Sequence, residues 1–255
     1  MYSLLLVDKK SRYKLIYPLQ NLTSDLLSQL QQFLIDVNGC CKAIRTDFDH
    51  KLIGGKVKAF LLDKGIDIDA APPRQQHKNG LVERSWQSIV KLSRNWLASA
   101  CLPPDFWWFA VKRATEVSNV LPTFHLSDSQ PTTPFELFFD TKPDLRTLIP
   151  MFSVAWVHRP TSNKFQSRSL KCILVGRDSH SNGLFYHPPS KTMFVDGNEC
   201  RLDLSLIAGP AFKLDYEGSF SFTSKASLDS ILHRPAASRL LRRRKSLTRR
   251  KVPFF

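Results

Sequence analysis

Long apolar runs are missing from this 255-residue chain: none approaches the ~18 consecutive residues that a membrane span requires. The opening Met1-Tyr-Ser-Leu-Leu-Leu-Val-Asp8 reaches an acid too early to form a signal-peptide core. Neither membrane association nor secretion is expected. Cysteine is sparse, at five residues: Cys40, Cys41, Cys101, Cys172 and Cys200. No Cys-x-x-Cys pair and no His-x-x-x-His accompanies them, so the usual spacing of a zinc site is absent. An odd count without a secretory signal suits reduced, intracellular thiols. No internal repeat is visible. Acids are few beside bases, 22 Asp and Glu against 37 Lys and Arg, for a net charge of +15.

Hydrophobic residues make up 42% of the chain and charged residues 23%. That is enough to bury a core, and it excludes both a wholly disordered chain and a disulfide-stapled miniprotein. An isoelectric point near 9.8 fits a nucleic-acid partner. The charge is uneven. Nine Lys and Arg follow His233 with no acid among them, leaving +6 on the body.

The first 122 residues alternate strand and helix signals. Ser3–Val7 is a continuous apolar run of the kind a buried strand shows, and Arg12–Leu19 alternates through Tyr13, Leu15 and Tyr17. Thr23 is the expected N-cap of a helix carrying Leu26, Leu27, Leu30, Phe33, Leu34 and Val37, with Gly39 as its stop. A strand over Cys41–Thr46, a short helix around Val57, Phe60 and Leu61 ended by Gly65, and a strand over Ile66–Ala70 follow. Residues 80–122 read as two helices parted by Pro103-Pro104. On the first, Glu83, Gln87, Lys91 and Arg94 share one polar side. Residues 123–152, with Pro131, Pro134, Pro143 and Pro150, read as an irregular connector. Residues 153–207 read as a small β domain, with strands at Val154–His158, Cys172–Gly176, Gly183–His187 and Thr192–Val195. Residues 208–255 lack periodicity and are expected to be a disordered basic tail.

Strands mixed with helices at the N-terminal end indicate an α/β domain. Asp8 and Asp47 each close an expected strand, and Glu83 opens an expected helix. Three carboxylates brought together can hold two divalent cations about 3.5–4 Å apart. Such a pair activates a nucleophilic oxygen and stabilises the leaving oxygen of a phosphodiester. Carboxylate oxygens suit Mg²⁺, or Mn²⁺ in its place. On spacing alone an Asp after a strand is more often a turn or cap residue, and a Glu in a first helical turn is more often a dipole or capping feature. Asp49 lies two residues from Asp47 and competes with it.

Neighbouring residues carry a resemblance. Leu6-Val-Asp-Lys-Lys-Ser-Arg-Tyr13 resembles the first-aspartate motif of copia-type retrotransposon integrases, and Ala71-Pro-Pro-Arg-Gln-Gln-His-Lys-Asn-Gly-Leu-Val-Glu-Arg84 resembles their segment around the catalytic Glu. Thirty-five residues lie between Asp47 and Glu83, the spacing of the retroviral-type triad. Phe106-Trp107 with Asn119-Val-Leu-Pro122, then Thr133-Pro-Phe-Glu-Leu137 and Lys142-Pro-Asp-Leu-Arg146, are similar to the family's downstream signatures. Ser153–Leu206, including Leu170-Lys-Cys-Ile-Leu-Val-Gly176, is similar to its SH3-like domain. The resemblance implies an RNase H-like core, a mixed sheet flanked by helices, over 1–122 and an SH3-like β domain over 153–207. It implies 3′-end processing and strand transfer of element DNA into target DNA. Asp8, Asp47 and Glu83 would be the catalytic ligands of two Mg²⁺ or Mn²⁺ ions. Asn79 and Gly80 would shape the turn before the catalytic helix, and Arg84, Gln87, Lys91 and Arg94 would face DNA, although a solvated helix face explains the last two equally. The active form would be a homo-oligomer.

Other features depart from the family or stand open. The zinc-binding His/Cys segment that precedes the family's core is not in this text, so either an N-terminally shortened element remnant or a fragmentary gene model is expected. The loop after Asp47 and the His77-Lys78 pair differ from the usual pattern. The alternative to an enzyme is therefore a catalytically inactive remnant that binds nucleic acid; a generic RNase H nuclease is a third, weaker reading. His77 invites a general-base role, but a loop His is more often just exposed. Phe106-Trp107-Trp108-Phe109 is either a stacking platform for bases or, at helical spacing, core. The run Arg242-Arg-Arg-Lys-Ser-Leu-Thr-Arg-Arg-Lys251 fits nuclear import. A nuclear location is expected on that ground, and a cytoplasmic one without it.

Overall fold

The structure, a computed structural model, describes residues 2–46, 54–70, 80–123, 131–158, 165, 167–177, 182–196, 200–208 and 252–254. The chain forms two compact units. One comprises Met1–Ile89, Thr115–Asp144 and Ala237–Phe255, the other Val90–Ala114 and Leu145–Ala236. Two of the boundaries fall inside long helices.

In the first unit, β1 (Tyr2–Val7) and β2 (Lys14–Leu19) form an antiparallel hairpin, in register from Tyr2↔Leu19 to Val7↔Lys14. The helix α1 (Asp25–Asp36) buries Leu26, Leu30 and Phe33 on one stripe, as its i, i+4, i+7 spacing requires. Its N-cap is Ser24 and not the expected Thr23, and Ser24 makes no side-chain cap bond. The Asp25 carboxylate closes the end from inside the helix, accepting from the N–H of Gln20 at 2.9 Å and of Asn21 at 2.8 Å. Gly39, at φ +65°, donates its N–H to the Leu34 carbonyl and stops the helix where expected. β3 (Cys41–Thr46), α2 (Gly55–Asp63) and β4 (Asp67–Ala70) follow, with β3 and β4 parallel from Ala43↔Asp67 to Thr46↔Ala70. Leu6, Tyr17, Leu30, Phe33, Ile44 and Leu61 meet in one core under both sheets and both helices.

Among the described residues the hairpin and the parallel strands form separate hydrogen-bonded sheets. The second has the order β10-β3-β4, and β10 (Val252–Phe254) comes from the stretch expected to be structureless. The proline-rich connector also holds structure. Thr133 Oγ1 accepts the Glu136 N–H at 3.0 Å and caps α5 (Pro134–Phe139), which Pro134 opens and Asp140 closes at φ +58°. The Phe138 ring stacks on Tyr13 at 4.6 Å, and Phe139 meets it edge-on at 5.2 Å. Burial pushes the Tyr13 phenol well up, with the Glu116 and Asp36 carboxylates adding to it.

α3 (Gly80–Ser99) and α4 (Trp107–Val120) run from one unit into the other. The second unit is a five-stranded antiparallel sheet of β5 (Ser153–His158), β6 (Ser169–Arg177), β7 (Gly183–His187), β8 (Thr192–Asp196) and β9 (Cys200–Ile207), in the order β8-β7-β6-β5-β9. Four of these strands were expected. β9 adds a fifth. Ala155, Val157, Cys172, Leu174 and Phe185 form the core on one face. Phe106 is fully buried against Tyr186, centroids 4.9 Å apart. At Gly183 any Cβ would lie 2.3 Å from the Phe185 ring, so only glycine fits beneath it.

Candidate nucleic-acid interface and carboxylate positions

Asp8 begins the turn between β1 and β2 and is wholly buried. Its Oδ2 accepts from the Ser11 N–H at 2.7 Å and from the Ser11 hydroxyl at 2.5 Å. Its backbone N–H donates to the Tyr13 carbonyl, and its carbonyl accepts from Arg12, which takes φ +62°. These contacts make Asp8 the lock of a hairpin turn. Among the described residues its Oδ1 is buried with no hydrogen-bond partner, an orphaned acceptor that raises the question of a cation.

α1 starts at the end of β2, where Asp25 holds Gln20 and Asn21, and its last residue, Asp36, accepts from the Tyr17 hydroxyl at 2.7 Å. Of the three carboxylates expected to hold metal, Asp8 and Glu83 are described. Asp47, Asn79 and His77 lie outside the described residues.

The remaining expected residues lie on α3. Glu83 is exposed in its first turn. Gly80 opens the helix without a positive φ, and nothing lies within 4 Å of where its Cβ would be. Arg84 is exposed but folds back, its Nε donating to the Gly80 carbonyl at 2.9 Å. Gln87, Lys91 and Arg94 are exposed along one stripe, while Ile89 and Ser93 are buried on the other side. The helix thus offers a neutral donor and two cations in a row leading away from Glu83. Among the described residues, no three His, Cys, Asp or Glu side chains are grouped to hold an ion. No described helix is long and apolar enough to cross a membrane.

In the second unit the aromatic run resolves towards core, since Phe106, Trp108 and Phe109 are all buried. A different aromatic is presented instead. Trp156 is 40% exposed on β5, and its cross-strand partners are Lys171 on β6 and Arg201 on β9. The Lys171 ammonium sits 5.9 Å from the Trp156 ring centroid. Trp156, Ser169, Arg201, Leu202, Asp203 and Leu204 line an open groove there. This row escaped the sequence reading because β9 was not resolved as a strand; its alternating Leu202, Leu204 and Leu206 carried the signal.

Residues 153–198 match the family model for the retroviral polymerase SH3-like domain. The β sheet of the second unit thus includes an SH3-like domain of the retroviral polymerase type, as the resemblance implied. Over 202 residues, 76% of its length, the chain is 26% identical to the Retrovirus-related Pol polyprotein from transposon TNT 1-94 of Nicotiana tabacum, and it spans about 15% of that polyprotein. A solved chain from the simian T-cell lymphotropic virus intasome in complex with PP2A regulatory subunit B56 gamma aligns at 15% identity and a TM-score of 0.46, over 78% of this chain and 71% of that one.

Proposed function

We propose that this chain is the DNA-holding part of a copia-type integrase, with an RNase H-like core, and that it does not by itself complete a two-ion carboxylate site. The observation that carries the DNA-holding half is the exposed Gln87–Lys91–Arg94 stripe beyond Glu83. Cations spaced along one helix face take phosphates and position the duplex without reading its sequence. The Trp156 row, with Lys171 and Arg201, offers a second cationic surface. The basic tail adds non-specific attraction and nuclear import, and a homo-oligomer on DNA belongs to the same reading.

The salt dependence of DNA binding tests it. Replacing both Lys91 and Arg94 with Glu is expected to flatten the slope of log K against log salt by about two phosphate contacts. An unchanged slope returns the stripe to solvent.

A second reading keeps the chemistry: metal-dependent polynucleotidyl transfer with Asp47, Glu83 and a carboxylate other than Asp8 around Mg²⁺. Its support is Glu83, exposed in the first turn of α3. The assay is Mn²⁺- or Mg²⁺-dependent resolution of a branched DNA that mimics the strand-transfer product. Under this reading the chain resolves the branch, Glu83→Gln abolishes resolution and Asp8→Asn does not. No resolution by a folded, DNA-binding chain favours the first reading.

A further inference from the structure

β3 has β4 on one side and β10 on the other, and these are its ladder partners among the described residues. Val252 pairs with Cys41 and Phe254 with Ile44, with a register shift between the two pairs. Successive residues of a strand turn their backbone groups to opposite sides. Val252 and Phe254 therefore direct theirs at β3, and Pro253, which has no N–H, faces the other way. A strand built like this can add to an edge but offers a poor edge to the next strand. Three residues do not hold an extended conformation alone; the edge they occupy supplies the order. Cys41 and Ile44 are in the core of the first unit, so β3 is an inner strand whose amides must be met. The β1–β2 hairpin pairs only with itself among the described residues and does not meet them.

We propose that the edge of β3 opposite β4 is a strand-acceptor site for a short extended peptide with proline between two pairing residues. Its occupant is this chain's own C-terminal segment Val252-Pro253-Phe254. The site is independent of any metal chemistry at Glu83.

Amide hydrogen exchange at Cys41–Thr46 tests the proposal. Ending the chain at Lys251 is expected to speed exchange there at least tenfold. A peptide of residues 249–255 added in trans should restore protection and bind the full-length chain at least tenfold more weakly than the shortened one. Val252→Pro in the full-length chain removes an N–H directed at β3 and should reproduce the loss. Unchanged exchange in both variants overturns the proposal, as does failure of the peptide to restore protection in the shortened chain. Full-length chains that sediment as dimers and exchange their tails would overturn the assignment of the occupant to the same copy.

Discussion

At Asp8, a side chain that looks catalytic in the sequence spends both lone-pair directions of one oxygen on Ser11. Bonds to a charged carboxylate contribute about 1.5–3 kcal/mol each. Asp8→Ala is therefore expected to lower unfolding stability by about 3–6 kcal/mol in urea titration, while Mn²⁺ binding, read by electron paramagnetic resonance, stays as in the parent. A loss of Mn²⁺ binding with stability intact would return Asp8 to the metal. Tyr17 and Asp36 show the same economy. Burial raises the pKa of Asp36, and the Tyr17 hydroxyl and the Gln32 amide pull it back by hydrogen bonds. The Tyr17 phenol is in turn driven far up by burial and by the Asp36 charge. The Asp36 carboxyl thereby joins α1 to β2.

Elements repeat the lesson at a larger spacing. Asn119 on α4 donates from Nδ2 to the Lys14 carbonyl at 2.8 Å, and its Oδ1 accepts the Lys14 N–H at 2.9 Å. A helix side chain thus pairs with the β2 backbone on the side where no strand does so among the described residues. Burial, with the Arg12 charge beside it, lowers the Lys14 ammonium to about 8. Asn119→Ala is expected to cost about 2–4 kcal/mol, from two lost bonds to part-buried backbone groups, and to speed amide exchange at Lys14. Unaltered exchange there would deny the clasp. The periodic elements were legible in the sequence: α1, its glycine stop, and the strands on either side of it follow from spacing alone. α5 was hidden by the prolines around it, although Thr133, Pro134 and Glu136 form an N-cap signature. The site was less legible, because an Asp after a strand reads alike in sequence whether it is to bind a cation or, as Asp8 does, to hold a hairpin turn through Ser11.

Across the whole molecule, charge is the property most readily read and most readily tested. Seven Lys and Arg stand between Arg242 and Lys251, directly before β10. Replacing these seven with serine leaves Val252–Phe254 in place. The expected results are reduced nuclear accumulation of a fluorescent fusion and a smaller salt slope in DNA binding. Unaltered localisation would discard the import role. The Asn119 clasp also has a consequence in time. Its two bonds span 105 positions of the chain. A polypeptide leaving the ribosome at ~5–20 residues per second emits β2 about 5–20 s before the residue that clasps it. During that interval the N-terminal hairpin waits with one side uncovered. A nascent chain of this protein depends for those seconds on whatever shelters an unfinished sheet.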